Sequence, residues 1–225
     1  IAIRILEAEH ARGRDFDLIS EEVGERRFGG GGDLVVLDPI DGSVNAKMGI
    51  PYFSLTMAAG SGRTYGDLRE GMVRNLISGE HFEAARGEGA WRDGVRIIPI
   101  PALEDGRLRL LQVEPTRLNA TYDGYRPLVA RAEKLRMLGS AALNLAHTAT
   151  GTVSASVAAS LRSVDCAGPV VVIEAAGGAV ATLAGEPIGA IDLGLDHRIS
   201  LAAAPDPATL RLVLDLLREG AGPGA

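Results

Sequence analysis

The sequence predicts a mixed fold, between α+β and α/β, on two observations. Residues 71–100 carry short apolar runs broken by turn signals such as Asp93-Gly94, a pattern typical of an antiparallel meander. After the proline-rich segment PIPALEDG, strand-like and helix-like segments alternate. We therefore expect an N-terminal α+β domain over residues 1–105 and a C-terminal α/β domain over residues 106–225.

Each element follows from its apolar pattern, with helices where apolar residues recur every three to four positions and strands where they alternate or run together. In the first half these are a helix ending near Gly13 and strands at FDLIS (16–20), LVVL (34–37) and YFSLTMAA (52–59), with ERRFGGGGD as a polar connection. In the second half they are a strand at 108–115, a helix at 123–134, a strand at 135–139, a helix from Ser140 to Gly151, a strand at 152–159 and a helix at 208–220. Residues 166–178 fit either a strand, through Val-Val-Val-Ile, or a helix with proline in its first turn and Gly-Gly behind it.

Composition limits the possible partners. With 46% hydrophobic residues among 225, the chain can bury a sizeable core, and its formal charge of -6 comes without any basic run that would follow a phosphate backbone. We therefore expect no nucleic acid partner, and no membrane association because no apolar stretch is long enough to cross a bilayer. The single Cys166 excludes an intrachain disulfide and fits a reducing cytoplasm.

The segment DLVVLDPIDGSVN, at residues 33–45, carries the strongest chemical signal. Asp38 and Asp41 follow a buried strand, where open sheets commonly hold ligands, and Pro39 is expected to stiffen a turn between them. Both carboxylates and the Ile40 carbonyl are hard oxygen donors, which select Mg²⁺, Mn²⁺ or Ca²⁺ over zinc. The segment therefore predicts a divalent cation site.

Further groups could join this site. Ser43 and Val44 could begin a helical turn whose free amides suit a phosphate. Glu21 and Glu22 end an earlier strand, and Asp165 stands just ahead of a possible helix. Taken singly, the two glutamates would be a solvated loop and the aspartate a helix cap. Beside the DPIDG motif, they become candidate ligands of the same metal centre.

Five motifs together resemble those of one family, the inositol monophosphatases and fructose-1,6-bisphosphatases. They are SEE (20–22), LDPIDGS (37–43), GEGAWRDG (87–94), GSAALNLAHTATG (139–151) and VDCAGPVVVIEAAGG (164–178), in the family's order over about residues 1–215. The archaeal-type enzymes with both activities are the most similar branch. The resemblance implies a layered αβαβα sandwich, a magnesium-dependent phosphomonoesterase and a homodimer.

The resemblance also implies metal ligands. Glu21, Asp38 and the Ile40 carbonyl resemble ligands of one ion, while Asp38, Asp41 and Asp165 resemble ligands of a second. Glu21 would help to hold a third ion through water. The implied cofactor is therefore two or three Mg²⁺ ions, with Mn²⁺ as an alternative.

On the substrate side, the resemblance assigns Asp41 to substrate and the backbone amides of Gly42 and Ser43 to phosphate. Ser43, where the family more often has threonine, is also the expected catalytic hydroxyl beside Glu21 and Asp38. Arg162 could meet a second phosphate or a sugar oxygen, which favours a bisphosphorylated sugar; a surface salt bridge is an equal alternative.

The function predicted from these motifs is hydrolysis of small sugar or polyol phosphates, such as inositol-1-phosphate or fructose-1,6-bisphosphate, by metal-activated water. Two alternatives stay open, a non-catalytic member that binds a phosphorylated ligand and a 3'(2'),5'-bisphosphate nucleotidase. The family also has an activating aspartate in a motif upstream of SEE, before Ile1. We expect weak or no turnover from a molecule that begins at Ile1.

Overall fold

The computed structural model describes residues 2–29, 32–114 and 123–221, which form two β-sheets and the helices that cover them. The strands of the first sheet are β1 (Phe16–Ser20), β2 (Gly24–Phe28), β3 (Leu34–Asp41), β4 (Ser54–Gly60), β5 (Leu68–Asn75), β6 (His81–Ala85), β7 (Gly89–Arg92) and β8 (Val95–Arg96). Those of the second are β9 (Leu103–Glu104), β10 (Arg107–Glu114), β11 (Ala132–Arg136), β12 (Ala155–Arg162), β13 (Ala179–Thr182) and β14 (Arg198–Ala204). The helices are α1 (Ala2–Ala11), α2 (Ser43–Met48), α3 (Arg126–Arg131), α4 (Ala141–Ala149), α5 (Ser163–Ala175) and α6 (Pro207–Ala221).

The strand order explains where the carboxylates meet. The first sheet runs β2-β1-β3-β4-β5-β6-β7-β8, and its neighbours are antiparallel except for the parallel pair β1 and β3. The second runs β11-β10-β12-β14-β13, with β11, β10 and β12 parallel and β9 paired to β10. The parallel pair in the first sheet brings two chain-distant strand ends to one edge.

Three buried clusters stack the helices and sheets in five layers. Ile3 and Leu6 of α1 pack with Phe16 and Leu37 on one face of the first sheet. The largest cluster joins the other face of that sheet, α4, α5 and the second sheet. The third lies between the second sheet and the helices α3 and α6. The predicted αβαβα sandwich is therefore confirmed.

Most predicted elements exist, and several have the predicted chemistry. The strand FDLIS is β1, and Asp93 and Gly94 have φ angles of 51° and 77°, as a type I′ hairpin turn requires. Ser140 caps α4, since its hydroxyl oxygen accepts a hydrogen bond from the Leu143 amide at 3.4 Å. The ambiguous segment 166–178 lies mostly in the helix α5, where Pro169 falls in the second turn and not the first.

Other predictions were wrong in extent. The expected connection at 25–33 contains β2, an exposed edge strand whose polar sequence gives little periodic signal. The helix expected over 123–134 is shortened to α3 because residues 132–136 pair with β10 as β11. The strand expected at 152–159 lies later, at Ala155–Arg162. The strands β13 and β14 were not predicted.

The domain boundary stays a prediction. The first sheet ends at Arg96 and the second begins at Leu103, near the expected position. The central cluster nevertheless draws side chains from both halves of the chain. Gly30, Gly31 and Pro115, which belonged to predicted segments, lie outside the described residues.

Candidate metal centre

The register of the parallel strands places Glu21 beside Asp38. Ser20 pairs with Leu37 across β1 and β3, so the next residue of each strand lies at the same edge of the first sheet. Glu21 is exposed in the hairpin turn between β1 and β2, whereas Asp38 is buried, with 3% of its surface exposed. One carboxylate faces solvent and the other faces the interior.

The helix α5 supplies the third carboxylate, Asp165. Its first turn is held by Tyr65, whose hydroxyl donates to the Ser163 carbonyl at 2.9 Å, and by Gly194, whose amide donates to the Ser163 hydroxyl at 3.0 Å. Carboxylate oxygens of Glu21, Asp38 and Asp165 all lie within 4.8 Å of one another. Among the described residues, Asp165 Oδ1 is buried without a hydrogen-bond partner.

A β-bulge shapes the end of β3. Asp38 pairs with Thr56 and Asp41 pairs with Ser54, so Pro39 and Ile40 stand opposite a single residue of β4. The expected turn after Asp38 is therefore a bulge within a continuing strand, a position where the missing amide hydrogen of proline is tolerated. The Ile40 amide donates to Asp38 Oδ1 at 2.9 Å, which fixes that carboxylate.

Asp41 lies buried next to this group of three and is held by donors. Its Oδ2 accepts hydrogen bonds from the Ser140 hydroxyl, from the Ser54 hydroxyl at 3.3 Å and from the Ala142 amide at 3.0 Å. Sequence reasoning treated Ser140 only as a helix cap and did not single out Ser54. No local sequence pattern predicts these hydrogen bonds to Asp41, because Ser54 and Ser140 lie 13 and 99 positions away from it in the chain.

Burial and mutual repulsion raise the pKa values of the clustered carboxyl groups. Burial is the main cause that raises the pKa of Asp38 to about 7, and repulsion from Asp41 and Glu21 adds to it. Burial followed by repulsion from Asp41 and Asp38 raises the pKa of Asp165 to about 8. Burial also raises the pKa of Asp41 to about 6 against its hydrogen bonds.

These residues fit a divalent cation. Converging hard oxygen donors, one with an unpaired buried atom, form a site that a cation would stabilise by removing the cost of burying like charges. The cluster is therefore a candidate metal-binding site. The roles predicted for Asp41 and for the Ile40 carbonyl stay predictions.

The residues predicted to bind phosphate, Gly42 and Ser43, come directly after Asp41 in the chain. Gly42 precedes α2 with a φ of 86°, and a Cβ there would lie 2.9 Å from the Gly139 carbonyl, so both conformation and space require glycine. Ser43 begins α2 and is exposed. The first amides of a helix have no acceptor within it, which is why these positions were predicted to hold phosphate.

Arg162, predicted to bind substrate, forms an ion pair with Glu21. It is the last residue of β12, and each side chain of the pair has 37% of its surface exposed. The structure therefore shows the alternative prediction, a salt bridge of Arg162. Its partner, Glu21, belongs to the carboxylate cluster.

The layered αβαβα sandwich, with carboxylates from the β1–β2 turn, β3 and α5 converging at one place, has the fold of inositol monophosphatase-type proteins. The family model described as the inositol monophosphatase family matches residues 4–219. The chain therefore belongs to the inositol monophosphatase family.

Individual proteins are similar over most of the chain. The fructose-1,6-bisphosphatase/inositol-1-monophosphatase of Methanothermobacter thermautotrophicus is 30% identical over 220 residues, which cover 90% of this chain and 74% of that protein. The inositol-1-monophosphatase of Aeropyrum pernix is 30% identical over 185 residues, covering 80% and 68%. The solved structure of a Thermotoga maritima IMPase matches with a TM-score of 0.79 and 25% identity, covering 98% and 81%.

Within the described part of the chain, the helices are too short or too polar to span a bilayer.

Proposed function

We propose that the chain is a Mg²⁺-dependent phosphomonoesterase that hydrolyses small sugar or polyol phosphates by attack of water. The observation that carries this proposal is the convergence of Glu21, Asp38 and Asp165 within 4.8 Å. Family membership supports phosphatase chemistry. The metal requirement is inferred from the donor set.

The metal ligands in this proposal are those carboxylates together with Asp41 and the Ile40 carbonyl, for two or three Mg²⁺ ions, or Mn²⁺. When bound, such ions neutralise a phosphate dianion and lower the pKa of an attacking water. Asp38, whose Oδ1 accepts a hydrogen bond from the Ile40 amide, would be shared by two of these ions, as the family resemblance implies.

The remaining residues bind and orient the substrate. The amides of Gly42 and Ser43 at the start of α2 would hold phosphate oxygens, and the Ser43 hydroxyl would orient the water. Asn45 stabilises this helix, since its Nδ2 donates to the Tyr52 carbonyl at 2.8 Å and to the Leu138 carbonyl at 2.6 Å. Phosphoryl transfer requires mainly such positioning and charge compensation.

Inositol-1-phosphate and fructose-1,6-bisphosphate are the proposed substrates. The support is the name of the Methanothermobacter thermautotrophicus relative, which pairs fructose-1,6-bisphosphatase with inositol-1-monophosphatase. We also propose a cytoplasmic homodimer, as the family resemblance implies. Light scattering on the purified protein would measure the subunit number.

The test combines phosphate release from a panel of phosphate esters with direct Mg²⁺ and Mn²⁺ binding. Asp38→Asn should abolish metal binding and lower kcat/KM by about a thousandfold or more. The matched control is Asp33→Asn, at an exposed aspartate paired to Arg69. This substitution should change neither metal binding nor kcat/KM. Ester binding without release would instead support the non-catalytic alternative, and absence of metal binding would overturn the proposal.

A further inference from the structure

The guanidinium of Arg162 lies at the carboxylate cluster itself. Its NH1 contacts Oε1 of Glu21, one of the three converging carboxylates. Its charge also acts on the other two, because it lowers the pKa values of Asp38 and Asp165 against the larger effect of burial. In the protein without metal, Arg162 therefore supplies positive charge to all three acids.

The backbone before Arg162 is shaped to aim this side chain. The register between β12 and β14 shifts between Ala158 and Leu161, so two residues of β12 stand opposite Ser200. Ser160, inside this bulge, has a φ of 56°, in the left-handed region that residues other than glycine rarely adopt. A strained bulge two residues before Arg162 indicates that the direction of β12 at this point is built into the fold.

Hydrogen bonds of Ser160 help to hold the bulge in place. The Ser160 amide donates to the Ser200 hydroxyl at 3.0 Å, and Arg198 NH1 donates to the Ser160 carbonyl at 2.7 Å. After the bulge the chain returns to register, with Arg162 opposite Arg198, and α5 begins at the next residue. Arg162 is thus held between the bulge and the helix that carries Asp165.

We propose that Arg162 is an internal counter-ion that competes with a divalent cation for Glu21, so that metal binding displaces the guanidinium from the cluster. The inference rests on the proposed function, since it requires metal at these carboxylates. Because Arg162 is released from Glu21 only when metal binds, any contact of Arg162 with an anionic substrate would depend on prior metal binding.

Electrostatics gives the competition its direction. A metal ion among the three carboxylates would lie a few ångströms from the guanidinium, and like charges at that distance repel. Glu21 also has to give up its ion pair before its oxygens face the metal fully. Both effects oppose metal binding while Arg162 stays in place, and both disappear when its charge is removed.

The test is calorimetric titration of Mg²⁺ and Mn²⁺ into the wild type and into Arg162→Gln and Arg162→Lys. Arg162→Gln should bind the first ion about three- to tenfold more tightly, with a difference that shrinks as KCl is added. Arg162→Lys, which keeps the charge, should stay near the wild type. The matched control Arg69→Gln removes an exposed arginine paired to Asp33 and should leave metal affinity unchanged.

Unchanged or weaker binding by Arg162→Gln would overturn the inference, because Arg162 would then position Glu21 for the metal. The proposed function would still stand if Asp38→Asn abolished binding, whereas a wild type that binds no metal would remove both. Should Arg162→Gln fail to fold, nuclear magnetic resonance of the Arg162 side chain in the wild type decides. Its signal should shift on Mg²⁺ addition as the ion pair opens, and an unchanged signal would contradict displacement.

Discussion

At the residue scale, Ser160 shows how a single backbone conformation serves the site. Left-handed backbone in a residue other than glycine costs about 1 kcal/mol, and more for a β-branched side chain. Sequence patterns could not reveal it, because SASVAASLR has no glycine to mark a left-handed position. Asp38 and Asp41, by contrast, were predictable, since carboxylates after a buried apolar run have few structural uses.

The first prediction concerns this position. Ser160→Val should lower the free energy of unfolding by about 1–2 kcal/mol, because valine is strained at a φ of 56°. Ser160→Gly should be neutral or slightly stabilising, since glycine adopts this backbone freely. Denaturant unfolding of both variants measures the difference. A valine variant as stable as the glycine variant would show that the bulge has relaxed.

At the element scale, the contact between α5 and the first sheet decides where Asp165 lies. A Cβ on Gly168 would come 2.6 Å from the carbonyl oxygens of Met57 and Met72, and would also collide with Thr56 Oγ1. Facing it, a Cβ on Gly71 would lie 2.8 Å from Val171 Cβ. The backbone of α5 therefore packs directly against the backbone of the first sheet. This close packing sets the distance between helix and sheet and, with it, the position of the first turn of α5.

Gly168→Ala should lower the free energy of unfolding by about 3 kcal/mol, since backbone carbonyls on neighbouring strands cannot move aside independently. Because Asp165 lies one turn earlier in the same helix, Mg²⁺ affinity should fall as well. Thermal unfolding and calorimetric titration measure the two effects. The control is Gly32→Ala, at an exposed glycine with nothing within 4 Å of an added Cβ. Equal stability of the two variants would refute the close contact.

At the scale of the whole molecule, the acids Asp38, Asp41 and Asp165 link stability to pH and metal. The folded pKa values of Asp41, Asp38 and Asp165 are about 6, 7 and 8, each above the ordinary value of 3.8. The folded state therefore holds more protons than the unfolded state in this range. The stability from these groups is fully present below pH 3.8 and is lost as pH rises through 6 to 8.

With a chelator present, the melting temperature should therefore fall between about pH 5.5 and pH 8.5. Excess Mg²⁺ should restore it most at the higher pH, where the carboxylates are ionised and bind the ion without releasing protons. Thermal melts with and without metal measure this. In Asp38→Asn, both the fall and the restoration should be smaller. A metal-free protein that grew more stable toward pH 8.5 would contradict these pKa shifts.

The sequence by itself determined the fold class, the family resemblance and which carboxylates to suspect. These depend on local patterns and ordered motifs: an apolar run ending in DPIDG, a capped helix at Ser140 and a turn at Asp93-Gly94. Only the tertiary structure decided that Glu21 stands beside Asp38, that Ser140 holds Asp41 and that Arg162 pairs with Glu21. Those relations arise from strand register and helix depth, and they join residues far apart in the chain, which no local pattern records.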